Sequence, residues 1–249
     1  MPSSRAVVDE TFERLGYSQG KVTAEDARRN FDSLLRRFFD ETLKVLEEHE
    51  QQVDAGEVLP EFVRAHQNDI GRERDGMRQR GDDDAALQEA VVRLLQRWHQ
   101  TLRGLYLSIS QSRKTRGGKD FEYQLQALLE LAQIPHEMQT KKDRSDFILP
   151  SAELLSRERP KAVLLTAKRT LRERWQEVVD ELEKVKCPNT YLVTADEKVT
   201  KNVVSEISRR NIYLVVWDSV SSDKFPDEPM VLGYSKFIRE LTQHFLPQW

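Results

Sequence analysis

Cysteine is nearly absent: Cys187 is the single one among 249 residues. No internal disulfide can form, and no zinc site built from several thiolates is available. Cys187 itself reads as a small core or loop residue rather than a nucleophile. Histidine is almost as thin. The five (His49, His66, His99, His136 and His244) are scattered, with no HExxH or HxH pair, which argues against histidine-centred metal or triad chemistry. No apolar run approaches the roughly 20 residues that cross a bilayer. The opening stretch MPSSRAVVDETFERLG lacks an apolar signal core, so a cytoplasmic protein with no membrane partner is expected. Positive charge is not in excess either: 39 Lys and Arg face 42 Asp and Glu, a net charge of −3. That balance excludes a uniformly basic nucleic-acid binder, but not an enzyme with a basic cleft.

What is present is a polar globular chain, 38% hydrophobic and 33% charged, long enough to bury a full core. From Ala6 to about Ile109 the pattern is helical throughout. A short helix around Thr11–Leu15 ends near Gly16. Thr23 is placed to cap the next, with Glu25 and Asp26 in its first turn. Phe31, Leu34, Leu35, Phe38, Phe39, Leu43 and Leu46 follow at three- and four-residue spacing. The charged, glycine-punctuated stretch Gly71–Asp84 reads as an exposed connector, a partly helical one being open to it, and Asp84 as the cap of a long helix with Leu87, Val91, Leu94, Leu95, Trp98, Leu102 and Leu105 on one face. Residues 1–105 are therefore expected to form an all-helical accessory region, suited to dimerisation or to clamping DNA.

The texture changes near Ser108. A helix over Phe121–Leu131 precedes short apolar runs: Pro135–Gln139, Phe147–Leu149, Ala162–Leu165, Thr190–Thr194 and Ile212–Trp217. Helical stretches near Leu171–Val185, Lys198–Arg209 and Ser235–Phe245 separate or follow them. Alternating strands and helices predict an α/β domain over 106–249 with a mixed central sheet flanked by helices. Continuous apolar strands such as YLVVW predict a sheet covered on both faces.

Asp146 opens the Phe147–Leu149 strand and Lys168 closes the Ala162–Leu165 strand, so hairpin-like pairing brings the two together at one sheet edge. A carboxylate to hold a divalent cation beside an ammonium near the attacking water is the arrangement of a metal-dependent phosphodiester hydrolase. Two residues before the lysine, where a further acid would complete a simple motif, stands Thr166. Glu177 and Glu181, one turn apart on the next helix and preceded by Glu173, offer a replacement carboxylate. The alternative is a solvated acidic face partnered by Arg172 and Lys184. The segment SQSRKTRGGK carries Arg113, Lys114, Arg116 and Lys119 with a glycine pair directly before a helix, which suits close approach to phosphates or guanine edges. Glu122, early in that helix, is within reach of the metal side of the cleft.

Taken in order, SRKTRGGKDFE, an apolar helix, IPHEM, SDFILPS and VLLTAKRTLRERWQEVVDE strongly resemble the C-terminal catalytic domain of EcoRII-type restriction endonucleases, PspGI-like enzymes included, within the PD-(D/E)xK nuclease superfamily. The resemblance covers roughly Ser108–Trp217. It implies a type II restriction endonuclease using Mg²⁺ to hydrolyse double-stranded DNA at a short palindrome with a CC…GG core (CCGG or CCNGG), leaving 5′-phosphate ends. By the same resemblance Asp146 and Glu181 hold the metal, Lys168 is the catalytic lysine, and Glu122 contributes to the site. Arg172 stands where the family has a second lysine, and Arg113, Lys114 and Arg116 match the segment that reads the GC part of the target. A palindromic target implies a homodimer or higher homo-oligomer. A repair or structure-selective nuclease on the same core, or a DNA-binding module with a vestigial site, stays open as an alternative.

Overall fold

The structure, a computed structural model, describes residues 2–81, 84–138, 145–171, 176, 179–180, 182 and 186–249; the side chains of 112–117 lie outside that description. Six strands form one mixed sheet in sequential order: β1 (Glu137–Met138), β2 (Phe147–Leu149), β3 (Val163–Lys168), β4 (Thr190–Thr194), β5 (Tyr213–Val216) and β6 (Val231–Gly233). β1, β2 and β3 pair antiparallel; β3 to β6 pair parallel. The parallel strands are buried along nearly their whole length, which is why they read as unbroken apolar runs rather than alternating ones.

The helices in chain order are α1 (Ser4–Arg14), α2 (Ala24–Arg29), α3 (Phe31–Val53), α4 (Leu59–Ala65), α5 (Gln67–Arg80), α6 (Asp84–Leu131), α7 (Ala152–Arg157), α8 (Lys201–Arg209), α9 (Asp218–Lys224) and α10 (Tyr234–Glu240). Local chemistry starts several of them. The Ser3 hydroxyl accepts from the Ala6 N–H at α1, and Thr23 and Asp26 close a reciprocal capping box at α2. No helix among the described residues is long and apolar enough to cross a membrane.

The chain divides into two compact units, and the division does not follow a boundary near residue 105. The larger, or core, unit joins Ser3–Leu43 to Gly117–Trp249; the other is Lys44–Arg116 with Met1–Pro2. The physical reason is the core itself. Val8, Tyr17, Ala27, Phe31, Leu35 and Phe38 share one buried cluster with the sheet and with Phe121, Leu125, Leu128 and Leu129 of α6. Phe39 sets its ring edge-on to Phe121 and to Trp217. α1, α2 and the part of α3 up to Leu43 therefore complete the α/β core rather than standing apart from it.

Packing decides two expectations drawn from the sequence. Of the two forms open to the connector Gly71–Asp84, the helical one holds over Gln67–Arg80. Two of its acids are held from α6: Asp69 pairs with Arg97 (2.9 Å) and accepts from Trp98 Nε1 (3.2 Å), and Glu73 pairs with Arg93 (2.8 Å). A helix polar on most sides persists through such pairs. The basic stretch 110–119 reads as a segment preceding a helix; instead its backbone lies inside α6, which is continuous from Asp84 to Leu131.

At the far edge, β6 ends at Gly233, where the chain passes very close to α9. Asp218 Oδ1 accepts from the Ser235 N–H (2.9 Å), Oδ2 accepts from the Ser235 hydroxyl, and the Asp218 N–H donates to Asp32 Oδ1 (2.9 Å). A Cβ on Gly233 would overlap Asp218 Oδ1 and lie 3.0 Å from its Cα. Gly233→Ala is expected to cost about 1–3 kcal/mol through this overlap, read as a lower urea midpoint. An unchanged midpoint would show that the network relaxes freely.

Candidate active site

β2 and β3 pair with Phe147 opposite Leu165 and Leu149 opposite Val163. Asp146, one residue before β2, extends that ladder through its N–H to Leu165 O (3.1 Å). Its side chain turns along the sheet: Oδ2 accepts from the Ala167 N–H (2.8 Å) and from the Lys168 ammonium (3.2 Å). Neither bond uses Oδ1. Both side chains remain accessible, with 23% of Asp146 and 33% of Lys168 exposed, so the pair can meet a substrate.

Glu122 on α6 is the third group here. Burial first, and then the Asp146 charge, push its carboxyl up to about 7, while Lys168 and Lys119 pull it back. Two carboxyl groups that feel each other and the neighbouring lysines form a coupled titratable cluster, a common property of functional clefts. Hard oxygen donors in mutual repulsion suit a divalent cation such as Mg²⁺, so the residues present fit one. Among the described residues no three His, Cys, Asp or Glu side chains gather as a metal-holding group. Completion of a site would fall to water, substrate or a residue outside them.

The remaining sequence candidates divide clearly. Glu181 and Arg172, like Glu173 and Glu177, lie outside the described residues. Arg113, Lys114 and Arg116 have described backbone within α6 but undescribed side chains. Their amide groups belong to a helix interior, so recognition through free amides at a helix start is not available to them. Lys119, on α6, is close enough to Glu122 to lower its pKa. Thr166 is buried within β3. Cys187 is buried, and burial raises its thiol pKa, as befits a core residue. One residue that the sequence patterns do not single out is Asp196, just past β4, which bonds the backbone behind Lys168. Its only signal is an acid following a strand, which any turn can carry.

A family model described as EcoRII C terminal matches residues 86–238, more than half of the chain. The chain belongs to the EcoRII C-terminal family. Among curated proteins it resembles the type II restriction enzyme SsoII of Shigella sonnei, 29% identical over 146 residues, which are 54% of this chain and 48% of that one. The chain thus matches about half the length of that relative. Solved structures with the same fold include metal-depleted Ecl18kI in complex with uncleaved, modified DNA, with a TM-score of 0.80, 22% identity, and coverage of 97% of this chain and 78% of that one. The PspGI–substrate DNA complex gives a TM-score of 0.64 at 19% identity, covering 100% and 95%. The EcoRII C-terminal match spans Glu122, Asp146 and Lys168 together.

The raised Glu122 carboxyl has a consequence for stability. Its folded pKa of about 7 lies above the ordinary 4.5, so the folded state holds this proton more tightly than the unfolded chain does. The metal-free protein should therefore lose stability as pH rises from about 4.5 through about 7. Glu122→Gln removes that loss. It should be more stable than wild type above pH 7, by about 1–2 kcal/mol after allowing for the partial exposure of the group, with the gap closing near pH 4.5. Thermal melts in chelator across that range check it; a constant gap would mean that Glu122 does not titrate there.

Proposed function

We propose that the protein is a type II site-specific deoxyribonuclease that hydrolyses double-stranded DNA with Mg²⁺. The observation that carries this reading is the accessible Asp146–Lys168 pair, locked across β2 and β3 at 3.2 Å with Glu122 in electrostatic reach. Support comes also from family membership, from a relative named as a type II restriction enzyme, and from structural neighbours solved with DNA.

In this reading Asp146 and Glu181 hold the metal, with Glu122 adjoining. Bound there, Mg²⁺ supplies Lewis-acid polarisation of the scissile phosphodiester. Lys168 orients the attacking water and stabilises charge on the phosphorane-like transition state, its own ammonium steadied by Asp146 Oδ2. Glu122 titrates near neutrality and so is suited to exchange a proton with that water. In-line attack breaks the bond from phosphorus to the 3′ oxygen, leaving 5′-phosphate and 3′-hydroxyl ends. Arg172, four residues after the lysine in sequence, adds a permanently charged cation.

The proposed target is a short palindrome with a CC…GG core, CCGG or CCNGG, met by a homodimer whose two-fold axis matches that of the site. Arg113, Lys114, Arg116 and Lys119 are assigned to the DNA: from a helical backbone the first three are suited to read guanine edges in the major groove, with phosphates within the same reach.

Digestion of a mixed plasmid substrate tests the reading: discrete bands that need Mg²⁺ are expected, whereas smears or junction-dependent nicks would indicate a different nuclease. Asp146→Ala and Lys168→Ala should each lower cleavage by at least about 100-fold while the target is still bound in Ca²⁺. Near wild-type cutting by Asp146→Ala would remove the site. Arg113→Ala and Arg116→Ala should each weaken specific binding by about 1–3 kcal/mol. Unchanged affinity for the target in a binding titration would remove them from the readout.

A further inference from the structure

β3 ends at Lys168, and three residues later the Leu171 N–H, now clear of the sheet ladder, donates to Asp196 Oδ2 (2.9 Å). Asp196 Oδ1 accepts from the Lys198 N–H (2.8 Å), and the Asp196 N–H donates to Thr194 Oγ1 (3.1 Å). Thr194 is the β4 residue opposite Lys168. One carboxylate therefore ties the exit of the lysine-bearing strand to the exit of its parallel neighbour.

That neighbouring exit is held from several sides. The Tyr234 hydroxyl donates to Thr194 O (3.0 Å), Trp217 Nε1 to Ala195 O (3.1 Å) and Lys224 Nζ to Glu197 O (2.6 Å). Arg36 pairs with the Glu197 side chain at 2.8 Å and lies over the Trp217 ring. Asp196 thus stands on a fixed ledge and reaches across to a span that is only Arg169, Thr170 and Leu171. Arg169 rests on the Phe39 ring, and the Leu171 side chain is buried.

We infer that Asp196 is a positioning residue for the site: by holding the Leu171 amide it fixes the three residues behind Lys168, and with them the approach of the ammonium to Asp146. The inference rests on the nuclease reading. Among the described residues Asp196 touches none of the groups assigned to the reaction; it acts through the backbone. A carboxylate is needed because two N–H groups converge on it from different directions. An amide side chain retains one acceptor and turns a donor toward the other N–H, and alanine leaves both without a protein partner.

The test compares wild type, Asp196→Ala and Asp196→Asn, with Asp146→Ala as the inactive control. Cleavage is followed against Mg²⁺ concentration, and hydrogen exchange at the Leu171 amide is measured on the same proteins. Asp196→Ala should turn over about 10–100-fold more slowly at saturating Mg²⁺, need more Mg²⁺ for half-maximal cleavage, and exchange the Leu171 amide faster. KM for DNA should be unchanged, since only the reacting geometry is disturbed. Asp196→Asn should recover part of the turnover, and carries the comparison if the alanine variant does not fold. A purely structural role would lower the melting temperature yet leave turnover and Mg²⁺ requirement alone below it; that outcome, or wild-type exchange at Leu171, overturns the inference. A wild type that cuts no DNA at any Mg²⁺ concentration removes the nuclease reading. A wild type that cuts, beside an Asp196→Ala that cuts equally well, removes only the role of Asp196.

Discussion

The register between β2 and β3 is the constraint on which the site depends. The pair it creates is weak by itself, because a partly exposed ion pair contributes at most about 1 kcal/mol. What fixes it is the apolar cargo of the two strands. Phe147, Ile148 and Leu149 on one side and Val163, Leu164 and Leu165 on the other are each no more than 2% exposed, and burying such side chains contributes about 1.5–3 kcal/mol apiece. A slip of one residue would send a whole strand's side chains to the opposite faces of the sheet. Asp146 and Lys168 are thus held together by a core that has no chemistry of its own. The same core supports a less comfortable neighbour, Glu122, whose carboxyl is raised by burial and by the nearby aspartate.

The N-terminal helices enter this support directly. Phe39 of α3 touches Arg169 just behind the lysine, and it also sets its ring edge-on to Trp217 and Phe121. Arg36, one turn earlier, lies over Trp217 and pairs with Glu197. The surroundings of the lysine-bearing strand's exit are thereby tied to a part of the chain more than a hundred residues away. That connection explains why residues 3–43 fall into the unit that contains the sheet.

How far the sequence reveals this depends on whether the cause is local. The strands are legible because buried parallel strands are continuous apolar runs, and Asp146 and Lys168 because they sit at the ends of two such runs. The Thr23 cap is legible because its partner, Asp26, lies only three residues on. β6 is three residues long and leaves too little pattern to find. The helix Gln67–Arg80 is hidden because its acids are satisfied by arginines 20 to 28 residues away. The glycine pair at 117–118 reads as a break, yet each glycine in a helix costs only about 1 kcal/mol, and the flanking turns of α6 outweigh it. The space beside Gly118 is open, with nothing within 4 Å of where a methyl group would sit, so no close approach demands glycine there. Asp196 is invisible for a different reason: its partner is a backbone amide, and amides carry no residue identity.

The order of the two units along the chain resembles an insertion more than a tandem arrangement. The core unit is interrupted after Leu43 and resumes at Gly117. No single cut can therefore release the core unit whole: severing the chain near residue 105 would strip Phe31, Leu35 and Phe38 from the wall that backs the sheet. A fragment holding the core unit would have to keep both flanks of the interruption, and it would forfeit Arg113, Lys114 and Arg116, which lie in the other unit.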